Sequence, residues 1–183
     1  MDRRQKKTRA AIFNAFCELL GKKDFNRITV EEIIKRADVG RATFYAHFET
    51  KEFLLKELSR ELFCHIFDSV GDLQNGHRHI FECDAPDSVF LHLLLHLQKN
   101  DNNLLALLTG DNDGLFLKYF KSGLSGLIED NLFLFDAKKQ EKLPRDFFIN
   151  HVASVFVETV LWWVRGGMKE SAETVLSYFE AAV

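Results

Sequence analysis

The segment Ile28-Thr29-Val30-Glu31-Glu32 sets the start of a helix at one residue, and the residues after it leave little freedom. The Thr29 hydroxyl can accept the Glu32 N–H while the Glu32 carboxylate returns to the Thr29 N–H, which makes a capping box. Ile28 and Ile33 stand at the two ends of a hydrophobic staple. Val30, Ile33, Ile34 and Ala37 follow the i, i+3, i+4, i+7 period and give this helix one apolar face. Glu31, Glu32, Lys35 and Arg36 lie opposite. The helix has to stop near Asp38, because Asp tolerates the left-handed backbone that ends helices. Gly40 can then cap a second helix over 41–48, with Phe44 and Phe48 inward and Arg41, Thr43, Tyr45 and His47 on other faces. Thr50 caps a third helix, and Glu52 suits its dipole. Helix, short turn, helix is the helix-turn-helix unit, whose second helix enters the major groove of DNA.

The same window carries a resemblance. Val39-Gly40-Arg41-Ala42-Thr43-Phe44-Tyr45-Ala46-His47-Phe48, followed by Lys51-Glu52, resembles the signature of TetR-type transcriptional regulators, and Ile28-Thr29-Val30 and Ile33 agree with it. The resemblance covers roughly residues 8 to 55. Two positions depart from the pattern. The family usually has a small residue where Ile34 stands and Gly where Asp38 stands, so a wider helix spacing and a costlier turn are expected here.

Net charge, at −3, argues against a general nucleic-acid coat, but its distribution does not. Residues 1–60 hold 14 Lys and Arg against 9 Asp and Glu, while the rest hold 10 against 18. The basic third contains the motif, and the acidic remainder is repelled by DNA. Apolar residues make up 46% of the chain, enough for a substantial core. Cys17, Cys64 and Cys83 are odd in number and widely spaced, which suggests a reducing compartment rather than a disulfide framework. The basic start runs into an amphipathic helix instead of an apolar signal segment, and no apolar run reaches transmembrane length. A cytoplasmic protein is expected.

With only two prolines and few β-signals, the chain reads as all-α. A three-helix DNA-binding domain is expected over 1–50 and a helical bundle over 51–183. Residues 1–7 form a basic arm or a fraying helix start. The first helix covers about 8–20 and ends at Gly21. The helix after Thr50 runs to about Val70 and links the two domains. Residues 71–86 read as a loop. Further helices are expected from Asp87 or Ser88 to Gln98, over 102–108, and over 115–132, the last weakened by Gly123 and Gly126. Gly110 to Gly114 is a turn. Pro144 opens a long helix to Arg165, Gly166-Gly167 stop it, and Ser171 caps a final helix to Ala182.

Eighteen phenylalanines are many for 183 residues, and aromatics at helical spacing are usually core. A bundle lined by them also suits a small apolar ligand, and the resemblance implies a ligand cavity without naming the ligand. Phe148, Val152, Val155, Phe156, Thr159, Trp162 and Trp163, with Val175, Leu176, Tyr178 and Phe179, load the last two helices. TetR-type proteins dimerise through their two final helices, so the resemblance implies a homodimer through about 144–183. Trp162-Trp163 with Gly166-Gly167 is also similar to one subgroup, which includes the regulator of dihydroxyacetone kinase genes.

His92 and His96 lie four apart on one helix, but no HExxH pattern surrounds them. His77, His79 and Cys83 form a looser group. Both read as polar surface, and neither a metal nor a cofactor is expected. There is no P-loop, no GxGxxG after a strand and no GxSxG, so nothing supports an enzyme.

The resulting expectation is a homodimeric regulator, a repressor, on palindromic operator DNA under control of a small-molecule effector. Arg41 suits base reading, since a guanidinium pairs with guanine O6 and N7. Thr43 suits a thymine methyl or a phosphate; Tyr45, His47 and Lys51 suit phosphates. Thr29 offers a phosphate contact at a helix N-terminus. The alternatives are a co-regulator whose C-terminal domain binds a partner protein, and a small-molecule-binding protein with no DNA role.

Overall fold

The computed structural model describes residues 3–70, 88–100, 103–110, 114–135 and 137–183. The expected loop with His77, His79 and Cys83, and the centre of the Gly110–Gly114 turn, lie outside the described residues. Among the described residues all regular structure is helical. The helices are α1 (Arg3–Leu20), α2 (Val30–Ala37), α3 (Arg41–His47), α4 (Lys51–Val70), α5 (Val89–Gln98), α6 (Leu104–Thr109), α7 (Leu115–Asp130), α8 (Ala137–Gln140), α9 (Arg145–Arg165) and α10 (Ala172–Ala182).

The first three helices make a small head. Ile12, Phe13 and Phe16 of α1 meet Ile33, Phe44 and Phe48, all fully or nearly fully buried. Phe13 and Phe48 sit edge to face at 5.3 Å between ring centroids, a geometry aromatic pairs favour. Helix α1 begins at Arg3, a turn and more before the expected start. A 3₁₀ turn, Phe25–Arg27, was not legible, because its one buried side chain, Phe25, carries no period.

Helix α4 leaves the head and enters the bundle, where it packs on α5 and α7. Gly123 is the reason α4 and α7 come so close: a Cβ there would lie 2.2 Å from the Phe63 ring. The residue that weakens α7 by propensity is the one that admits its neighbour. A second link joins head and bundle. Asn103, the N-cap of α6, donates its Nδ2 hydrogen to the Cys17 carbonyl at 2.6 Å, and Gly21 leaves room for its amide.

Helices α9 and α10 close the bundle against α7 and α5. Phe90, Phe156 and Phe179 form a triangle with centroids 5.1–5.4 Å apart, so these rings fill the interior with one another. The expectation that no apolar run reaches membrane-spanning length needs correcting. By length and composition α9 qualifies. Its Phe148, Val152, Phe156, Val160 and Trp163 are instead buried within the bundle, as in the core helix of a packed domain.

Gly123→Ala is expected to cost about 1–3 kcal/mol through overpacking against Phe63. Gly126→Ala, where nothing lies within 4 Å of the new Cβ, is expected to gain up to about 1 kcal/mol from helix propensity. Urea denaturation of the two variants reads the contrast; equal effects would mean that Phe63 does not sit on Gly123.

Candidate nucleic-acid interface

The turn between α2 and α3 is built as the sequence requires. The Glu32 N–H donates to the Thr29 hydroxyl at 3.3 Å, and the Thr29 N–H donates to the Glu32 carboxylate at 2.9 Å. Asp38 takes the left-handed conformation, φ 53° and ψ 49°, and its N–H returns to the Ile34 carbonyl. Gly40 is the N-cap of α3, and extended backbone at Phe48 ends that helix at His47. Ile34 is half-buried at the α2 surface, while Ile33 alone is fully enclosed.

On α3 the burial follows the helical period. Phe44 is sealed, whereas Arg41, Thr43 and Tyr45 are exposed and His47 is half-buried. Tyr45 is 48% exposed although its ring lies edge-on to Phe44 at 5.4 Å. Arg41 makes an exposed pair with Glu31 at 3.6 Å, a contact worth about 0–1 kcal/mol that an incoming anion or base edge can replace. Arg41, Thr43 and Tyr45 of one short helix thus face outward, with His47 half-buried, beside the apolar anchor of Phe44.

Two of the expected contact residues have duties inside the head. The Thr29 hydroxyl and N–H are both engaged with Glu32, whose carboxylate occupies the positive end of α2. The Lys23 ammonium, then the Thr29 N–H and hydroxyl, hold the Glu32 carboxyl down to about 2. A phosphate arriving at Thr29 therefore meets a resident anion. Lys51 reaches back from the start of α4, donating to the carbonyls of Phe25 and Ile28, each at 3.0 Å. Its ammonium also lies 4.3 Å from the centre of the Phe25 ring. Lys51 closes the 3₁₀ turn that the sequence did not reveal, which is why spacing alone assigned it outward.

The basic arm is helical. Arg3, Arg4, Lys6 and Lys7 are exposed in the first turns of α1, with no acidic residue among them. Cations at the positive end of a helix are unfavourable for the helix itself, so this placement suits an external anion.

Away from the head, α4 and α5 bring together a group the sequence showed only in part. His92 and His96 are buried, with their Nε2 atoms 3.1 Å apart. His65 of α4, 27 positions before His92, completes the group, its ring centroid 5.0 Å from that of His92 and 4.9 Å from that of His96. Burial, then the neighbouring His96, His65 and Lys99, push the His92 imidazole down to about 4. The pair was legible as an i, i+4 spacing; its third member was not, because it depends on how two helices pack.

Comparison with known proteins agrees with this geometry. Residues 12–58 match the family of bacterial regulatory proteins called tetR, and residues 84–183 match a transcriptional regulator C-terminal region. A crystal structure of a TetR transcriptional regulator from Streptococcus agalactiae 2603V is 34% identical, with a TM-score of 0.72 over 100% of this chain and 96% of that one. A TetR-family regulator from Syntrophomonas wolfei shares the fold, with a TM-score of 0.70 at 20% identity over 97% of this chain and 95% of that one. The HTH-type regulator YxbF of Bacillus subtilis (strain 168), itself uncharacterized, is 38% identical over 69 residues, 37% of this chain. The match spans only 18% of the length of YxbF, and a match to YvdT of the same organism, 27% identical over 36% of this chain, spans 34% of that protein.

Lys51→Ala is expected to destabilise the head by about 1.5–3 kcal/mol, the scale of a hydrogen bond to a charged group. Lys35→Ala, on an exposed face, is expected to stay within about 0.5 kcal/mol of the parent. Thermal melts of both decide it; equal stability would return Lys51 to the surface.

Proposed function

Because the chain belongs to the TetR family of transcriptional regulators, which are DNA-binding proteins and not enzymes, we propose that it is a homodimeric repressor that reads a palindromic operator with α3. The observation that carries the reading is the split face of α3: Phe44 locked in the core, and Arg41, Thr43 and Tyr45 turned to solvent. Arg41 reads a guanine edge in the major groove, and Thr43 meets a thymine methyl or a phosphate. Tyr45 and His47 fix the register on phosphates. Thr29 and Lys51 contribute chiefly by setting the pose of α2 and α3, with one Lys51 N–H left for a phosphate beyond its two carbonyl bonds. The exposed cations at the start of α1 add sequence-independent attraction. Acting on DNA, such a protein works in the cytoplasm.

The dimer reading rests on the outer stripe of α9. Phe147, His151, Glu158 and Trp162 follow one another along it, and Phe147 and Trp162 are large, apolar and about half exposed. Trp162 meets the half-exposed Tyr178 of α10 at 6.1 Å between rings. Its sequence neighbour Trp163 is fully buried, and its indole N–H donates to the Glu170 carbonyl at 3.0 Å. One tryptophan thus builds the subunit and the other faces a second copy. In the dimer two α3 helices sit about 34–36 Å apart, one turn of DNA.

Control by a small effector completes the proposal. An effector shifts the spacing of the two heads only by its differential affinity for the two poses. Helix α4 is the element to transmit it, since it belongs to the head at Lys51 and to the bundle at Phe63.

Two experiments test this reading. In gel shifts against a genomic fragment pool at low salt, Arg41→Ala is expected to relax preference at one base pair, at a cost of about 1–3 kcal/mol. Arg3→Ala with Arg4→Ala is expected to weaken all sequences and to lower the salt slope by about one per lost phosphate contact. If no fragment is retained and Arg41→Ala changes nothing, the DNA reading is lost. In sedimentation velocity, Trp162→Glu is expected to turn the dimer into a folded monomer with sharply reduced operator affinity. A monomeric parent, or a dimeric variant, removes α9 and α10 as the interface.

A further inference from the structure

The histidine trio sits where the head's supporting helix meets the bundle. His65 projects from α4, and His92 and His96 from successive turns of α5. One ring nitrogen from each lies within 4.8 Å of the other two. Leu62 and Ile66 beside His65, and Leu93 and Leu97 beside the pair on α5, are fully buried, and Lys99 lies near enough to His92 to disfavour its charge.

We propose that His65, His92 and His96 form a binding site for a divalent first-row transition-metal ion of the zinc type, joining α4 to α5.

The geometry is close to what such an ion needs. Metal–imidazole bonds of about 2.0–2.1 Å in a tetrahedral site place donor atoms about 3.3 Å apart. His92 and His96 already stand at 3.1 Å. Bringing the third nitrogen in from at most 4.8 Å requires a shift of about 1.5 Å, within the reach of side-chain rotation. An i, i+4 pair on one helix with a third ligand from a facing helix converges from one side. Imidazole nitrogens suit zinc, copper, nickel and cobalt, and no carboxylate belongs to the trio, so calcium and magnesium do not fit. Three protein ligands leave a fourth position for water or an anionic group.

The site's position gives it leverage. Glu61, one turn before His65 on α4, pairs with Arg9 of α1 at 3.6 Å. A bond that draws His65 toward α5 therefore acts on a helix anchored to the head. That consequence rests on the DNA-binding reading above; the existence of the site does not, and the test below does not involve DNA.

The experiment uses the full chain, stripped with a chelator and titrated with cobalt(II) at neutral pH. One equivalent is expected to give the strong visible absorption of a four-coordinate cobalt site, and zinc is expected to abolish it. His65→Gln and His92→Gln are each expected to weaken binding at least tenfold. Glu129→Gln, an exposed carboxylate of α7 paired with Arg145, is expected to leave it unchanged. Circular dichroism shows whether each variant is folded. If one is not, X-ray absorption of the zinc-loaded parent decides, with imidazole nitrogens expected around the ion. No absorption at one equivalent, undiminished binding in a folded His65→Gln or His92→Gln variant, or a zinc shell without imidazole overturns the proposal. The trio is then a hydrogen-bonded core cluster.

Discussion

The guanidinium of Arg9 ties the first helix of the head to the helix that leads into the bundle. It leaves α1, lies over the rings of Phe13 and Phe48 at 5.0 and 4.8 Å, and pairs with Glu57 of α4. Both partners of the pair are largely enclosed, and an enclosed ion pair is stable only when its remaining valences are met. Here they are. Burial raises the Glu57 carboxyl, but hydrogen bonds from Arg60 and Arg9 outweigh it and hold the group below its ordinary value. The rings of Phe13 and Phe48 lie against the same guanidinium. Because Phe48 ends the α3 segment and Glu57 sits two turns into α4, this side chain links the end of α3 to α4.

A second constraint acts from the other side of the head. Lys51 holds the Phe25–Arg27 turn against the start of α4, and Asn103 ties the end of α1 to α6. The head is thus fixed to the bundle at α4 and at α6. The histidine trio lies on α4 and α5, beside one of the two attachments.

The local features were legible in the sequence because their physics is local. The capping box at Thr29, the left-handed Asp38, the cap at Ser171 and the stop at Gly166 need only neighbours within a few residues. The outward set on α3 followed from period alone. What escaped was set by distant partners. Lys51 looked like a free cation because the carbonyls it serves lie 23 and 26 positions earlier. Thr29 looked like an anion site because the helix start was visible, but the tie between Lys23 and Glu32, nine residues apart, was not. Gly123 looked like a flaw in a helix until Phe63 was placed against it.

The paired tryptophans make the same point about function. Adjacent residues on a helix differ by about 100° in direction, so two large rings in succession cannot share one face. Trp163 is committed to the core by burial and by its bond to the Glu170 carbonyl, and this fixes the rotation of α9 about its axis. With that rotation set, Trp162 has no choice but the outer face, where it remains 51% exposed beside Tyr178. The inner ring therefore determines the outer surface. A change at Trp163 would turn the stripe carrying Phe147 and Trp162 without touching a residue of that stripe. The core of this domain and its exposed aromatic stripe are two sides of one helical register.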